Sequence, residues 1–121
     1  MSKIYVKSFL KSKDEIHVFE GSGIKNNNKI IYNDMGIMTK ITVDSDVYLE
    51  RKKDYYIKLG FNVNKKLKGT YYTVDGKFEV ETVTEYISYE KNGIKIKYKL
   101  MINNVFVGVF EFNLQYTIDR D

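Results

Sequence analysis

YTVDGKFEV, residues 72–80, breaks an aromatic-flanked run at Asp75-Gly76 and resumes with apolar and charged residues in alternation. Asp-Gly between alternating segments marks a hairpin. The type I′ turn that matches strand twist needs φ > 0 at both central residues, which Gly adopts freely and Asp at little cost. Two antiparallel strands are therefore expected here, and the same period of two extends outward on both sides. Before the turn, over residues 55–63, Tyr55, Ile57, Leu59, Phe61 and Val63 fall on one face. After it, Ile94, Ile96, Tyr98, Leu100 and Ile102 alternate with Lys95, Lys97 and Lys99. That is the pattern of an antiparallel sheet with one face buried and one in water. No run of a dozen residues carries an apolar stripe at helical spacing, so the chain reads as all-β.

Turn signals recur at short intervals: Lys11-Ser12-Lys13, Gly21-Ser22-Gly23, Asp44-Ser45-Asp46, Asp75-Gly76, Asn92-Gly93 and Asn103-Asn104. They divide the chain into strands near 3–10, 14–20, 29–35, 37–43, 47–52, 55–63, 69–74, 77–89, 94–102 and 105–118. Consecutive hairpins of this kind must hide their outer edges, and closure into an up-and-down barrel of about eight to ten strands removes them. The expected architecture is one antiparallel barrel domain spanning residues 1–121.

Two irregularities refine this. Along 77–89 the apolar set begins as Phe78 and Val80 and continues as Val83, Ile87 and Tyr89, a change of parity that needs a bulge near Glu81-Thr82. Over residues 105–110 both faces are apolar, which predicts that the last strand is covered on both sides at its start, with the N-terminal strand crossing it.

At 121 residues, with 43% hydrophobic and 30% charged residues, the chain fits a single soluble domain with its own core. The absence of Cys excludes disulfides, thiolate metal sites and a cysteine nucleophile. Charges interrupt the N-terminus where a signal peptide needs an apolar run, and no apolar run is long enough for a membrane span, which points to the cytoplasm. The net charge of +4 comes from Lys, with Arg only at Arg51 and Arg120. Arg is the residue that grips phosphate bidentately and stacks on bases, so no nucleic-acid partner is expected from the charge.

The ordered signatures IIYND, TKITV leading to VYLERK, Phe61, YYTVDGKFEVETVTEYI and NGIKIKYKL resemble the YwiB-like family over residues 31–116. Lys52 follows Arg51 where a Gly is usual, and Asp34 stands where Glu is common. The resemblance implies a calycin-type β-barrel, lipocalin-like in architecture, with no assigned activity.

Candidate chemistry is sparse. His17 is the only histidine and shares a strand face with Phe19, so it reads as an exposed or partly packed strand residue. Asp44 and Asp46 around Ser45 read as a turn, since a cation cage needs more oxygen ligands. Glu79, Glu81, Glu85 and Glu90 sit across the Asn92-Gly93 turn from Lys95, Lys97 and Lys99, and cross-strand ion pairs account for them better than acid–base catalysis. No metal, cofactor, phosphate-loop or nucleophile motif is present. The eleven tyrosines are the richer signal, because Tyr offers an apolar body with a polar tip that suits a barrel interior. Tyr72, Tyr98 and Tyr116 count to the inward face. An interior pocket of Arg51, Phe61, Tyr72, Thr84 and Tyr98 is the expected site, holding an apolar or amphipathic small molecule without catalysis. The alternative is a protein- or RNA-contacting module using the Lys- and Tyr-rich exterior.

Overall fold

The structure is a computed structural model in which residues 1–119 are described. Those residues form ten strands and no helix: β1 (Ser2–Lys11), β2 (Ile16–Asn26), β3 (Lys29–Asp34), β4 (Ile37–Val43), β5 (Val47–Lys52), β6 (Tyr56–Phe61), β7 (Leu67–Thr73), β8 (Gly76–Glu90), β9 (Gly93–Ile102) and β10 (Val105–Ile118). Each pairs antiparallel with its neighbour in sequence, and β1 pairs with β10 as well as with β2, so the sheet closes. The result is the up-and-down antiparallel barrel expected from the turn spacing.

Alternation becomes inside and outside. In β9, Ile94, Ile96, Tyr98 and Leu100 are buried, meeting Val6 of β1, Val47 and Leu49 of β5, and Phe112 and Leu114 of β10 in one core. The intervening lysines face out and reach carboxylates of β8: Lys95 Nζ lies 3.5 Å from Glu90, Lys97 Nζ 3.7 Å and Lys99 Nζ 4.0 Å from Glu85. Glu85 and Glu90, two of the four glutamates expected to pair, thus form cross-strand ion pairs.

The structure corrects several local readings. The Asp75-Gly76 hairpin exists, but its turn is not type I′: Gly76 has φ +125° while Asp75 stays at negative φ and its N–H donates to Thr73 Oγ1 at 3.0 Å. Paired positive φ values occur instead at Met35-Gly36 (52° and 92°) and Asn103-Asn104 (50° and 64°). Gly21-Ser22-Gly23 is not a turn; it lies inside β2. The small residues there answer to close packing, because a Cβ on Gly23 would lie 2.9 Å from the Ile31 carbonyl oxygen and 3.0 Å from Val6 Cγ2. The bulge in β8 falls between Thr84 and Tyr86, not near Glu81-Thr82. Thr82 and Thr84, rather than Val83, continue the inward set of Val80, because each hydroxyl finds a partner inside: Thr82 donates to the Gly60 carbonyl, and Thr84 Oγ1 accepts from Asn62 N–H at 3.2 Å. The start of β10 is not covered. Val105, Phe106 and Val107 are exposed, because β1 meets only residues 111–118 of β10. Val63 lies beyond the end of β6 and is exposed as well.

At β7, a Cβ on Gly69 would run into the Lys58 carbonyl oxygen and lie 2.9 Å from Val80 Cγ2. Gly69→Ala is therefore expected to lower the unfolding free energy by about 1–3 kcal/mol through overpacking. Urea unfolding followed by circular dichroism measures this, and an unchanged midpoint would contradict the close approach of β6 and β7.

Candidate ligand-binding site

Parity along neighbouring strands carries charged groups into one end of the barrel. In β3, Ile30, Tyr32 and Asp34 share the inner face and all three are buried. In β5, buried Val47 and Leu49 are followed at the same parity by Arg51. β2 supplies His17 and Phe19. It overruns its partner, since Gly23 is level with Tyr32 and β3 ends two residues later, whereas β2 runs back to Ile16. His17 thus projects past the β3–β4 turn, and its side chain folds across to Asp34.

The three side chains meet at the Asp34 carboxylate. Arg51 Nη2 donates to Oδ2 at 2.9 Å, while His17 Nε2 lies 3.0 Å from Oδ1 and 2.8 Å from Oδ2. Asp34 is 4% exposed, Arg51 16% and His17 44%. The carboxylate is enclosed and the imidazole forms the surface of the cluster. A buried carboxylate is tolerated only when paired and hydrogen-bonded, and these two partners satisfy that requirement.

One donor is left over: Arg51 Nε is buried and has no hydrogen-bond partner among the described residues. An unpaired buried donor typically costs about 1–3 kcal/mol, so a native structure that keeps one invites an explanation. Beside the cluster lies a cavity of about 10 Å³ bordered by Ser8, Tyr32, Thr39 and Phe112. That is room for about one water. The Tyr32 hydroxyl donates to Ser8 Oγ at 3.1 Å, and Thr39 Oγ1 donates to the Ile37 carbonyl at 3.2 Å. Burial raises the Tyr32 hydroxyl pKa above the ordinary range, with the Ser8 bond opposing. Burial raises that of Tyr98 further, and the Arg51 charge pulls it back. Both phenols therefore stay neutral, and the field of Arg51 reaches the interior.

Of the residues expected to form a pocket, Arg51, Phe61, Thr84 and Tyr98 face the interior. Phe61 and Tyr98 pack ring on ring at 4.6 Å, and Phe61 pairs with Val47 at the end of the barrel away from Arg51. Tyr72 does not join them. It is 45% exposed on the outer face, beside Tyr56 and under Lys77 Nζ. Tyr71 holds the inward position, since its ladder partner Ile57 packs on the core. Two adjacent tyrosines give no parity signal, and the register with β6 decides between them. Sequence reasoning missed the His17–Asp34–Arg51 cluster. The signal was present in the inward parity of Asp34 after Ile30 and Tyr32, and of Arg51 after Val47 and Leu49.

Chemically, the cluster can present a guanidinium and an imidazole to an anionic or hydrogen-bond-accepting group. A family model described as a domain of unknown function (DUF1934) matches residues 7–114. The chain is also similar to the crystal structure of the ywiB protein from Bacillus subtilis, with a TM-score of 0.64 and 16% identity over 98% of this chain and 91% of that one. At this identity the likeness shows the fold. No curated protein matches the chain significantly.

Neutralising the shared carboxylate should expose the energetics of the cluster. Asp34→Asn is expected to cost about 3 kcal/mol, because it leaves Arg51 without its counter-charge, whereas His17→Gln at a half-exposed position should cost less than about 1 kcal/mol. Replacing Arg51 with Met in the Asp34→Asn background should recover part of the loss. Chemical denaturation of the three variants checks the ranking, and equal losses for Asp34→Asn and His17→Gln would contradict it.

Proposed function

The chain belongs to the DUF1934 family, a domain of unknown function, and we propose that it is a non-catalytic binding protein for a small amphipathic molecule. The head group, anionic or hydrogen-bond accepting, meets Arg51. The apolar body rests against the partly buried residues of the same barrel end. The observation that carries this reading is Arg51 itself, a guanidinium held largely inside a barrel with a buried Nε that has no partner among the described residues. Charged groups inside a core contribute little net stability, so their presence points toward recognition. Leu10, Phe19, Ile57 and Phe110 are partly buried on the core and supply an apolar lining beside it. Resemblance to calycin-type barrels supports the same reading as a fold-level analogy.

Drug-sized pockets usually enclose about 300–1,000 Å³, far more than the roughly 10 Å³ beside Arg51. Entry therefore displaces rim side chains rather than filling a ready space. The alternative of an RNA-contacting exterior draws less support, since Lys95, Lys97 and Lys99 each lie within ion-pair distance of a glutamate.

Calorimetric titration with decanoate, decanol and decyltrimethylammonium tests the head-group preference. Decanoate is expected to bind best, and Arg51→Gln to weaken it at least about tenfold while leaving decanol unchanged, the size of one charge-assisted hydrogen bond. Equal affinity for all three, or no binding by any of them at about 1 mM, would overturn the proposal.

A further inference from the structure

We infer that residues 105–110 of β10 form a pairing edge for a second copy of this chain, the two strands running antiparallel about a two-fold axis. The inference is independent of the ligand site.

The edge arises from strand length. Lys11, the last residue of β1, is level with Glu111, and the chain then turns away toward β2. Among the described residues, residues 105–110 pair only with β9, on their other side. Backbone donors and acceptors stand open where a longer β1 would have run, which is a template for strand addition. The segment reads VFVGVF, with no charge and no Pro. Proteins usually guard such edges with Lys, Pro or an inward charge, and a short uncharged run of high β-propensity is the kind that pairs with itself. Phe106 and Val107 are 59% and 49% exposed. A groove of about 530 Å³ runs between this edge and the tip of the β1–β2 hairpin, bordered by Lys11, Lys13, Phe106, Val107 and Val109.

Charge and symmetry favour a second copy as the occupant. Pairing centred between Val107 and Gly108 sets residue 105 opposite 110 and 106 opposite 109, apolar against apolar over the whole open length. Beyond the paired segment the position beside Glu111 is held by Lys11 of the same chain, so the uncharged Asn103-Asn104 turn of each copy comes up against the hairpin tip of the other, with Lys11 and Lys13. No like charges are opposed. A contact of this kind is isologous and closes as a dimer. A peptide strand rich in charge would instead set its charges against Val and Phe. The bulge between Phe106 and Gly108 lies on the β9 side and adds twist, which a two-stranded ribbon accommodates.

Sedimentation equilibrium over a range of concentrations tests the inference, with Val107→Lys and Val107→Glu as variants. The wild-type chain is expected to dimerise reversibly. Each variant, with unchanged circular dichroism and melting temperature, should dimerise at least about tenfold more weakly, because residue 107 faces Gly108 of the other copy next to the two-fold and the two substituted side chains become diagonal neighbours of like charge. Mixing the Lys and Glu variants one to one should restore the dimer. A wild-type chain monomeric at about 1 mM, dimers that persist in both variants, or a mixture that stays monomeric would each overturn it.

Discussion

Everything in this barrel depends on β1 pairing along both of its sides, with β2 on one and β10 on the other. Those two ladders turn a run of hairpins into a closed ring, and closure converts side-chain alternation into an inside and an outside. Once the ring is shut, each strand's inward residues must fill a fixed volume, and its backbone groups find partners in two neighbours. Backbone is left open only where neighbouring strands differ in length.

The filling is uneven in kind. At the end away from Arg51, Phe61, Val47 and Ile41 pack without polar atoms in their side chains, and the threonines of β8 turn their hydroxyls to backbone groups at Gly60 and Asn62. At the other end a carboxylate, a guanidinium, an imidazole, a serine and a tyrosine crowd together, and one of their donors stays unpaired among the described residues. A core selected for stability alone would favour apolar groups of similar volume at those positions. The concentration of polar groups at one end is what gives the binding proposal its location.

One geometric cause lies behind both the cluster and the open edge. The stagger that closes a barrel makes strand ends step around the rim. Where β2 runs past β3, His17 can fold over Asp34. Where β10 runs past β1, residues 105–110 have no strand partner on that side among the described residues. Recognition within the barrel and association between barrels would thus both use places where the ladder runs out.

The sequence by itself determined the fold class, the number of strands and most of their limits, because period-two alternation and turn residues are local properties that each strand carries alone. The inward face of β9 and the Glu–Lys pairing of β8 with β9 were legible for the same reason. Only the tertiary structure decided matters that depend on register between strands. It turned Tyr71 inward and Tyr72 outward, since their ladder partners Ile57 and Tyr56 occupy opposite faces. It absorbed Gly21 and Gly23 into β2, where the Phe19 ring over Gly21 and the close approach of β1 and β3 at Gly23 were the reasons for glycine. It also moved the bulge past Thr84, because a buried threonine is acceptable once a backbone partner is in reach. Asp34 and Arg51 had inward parity in the sequence, but their meeting with His17 required three strands to be aligned around a closed ring, and no local pattern encodes that alignment.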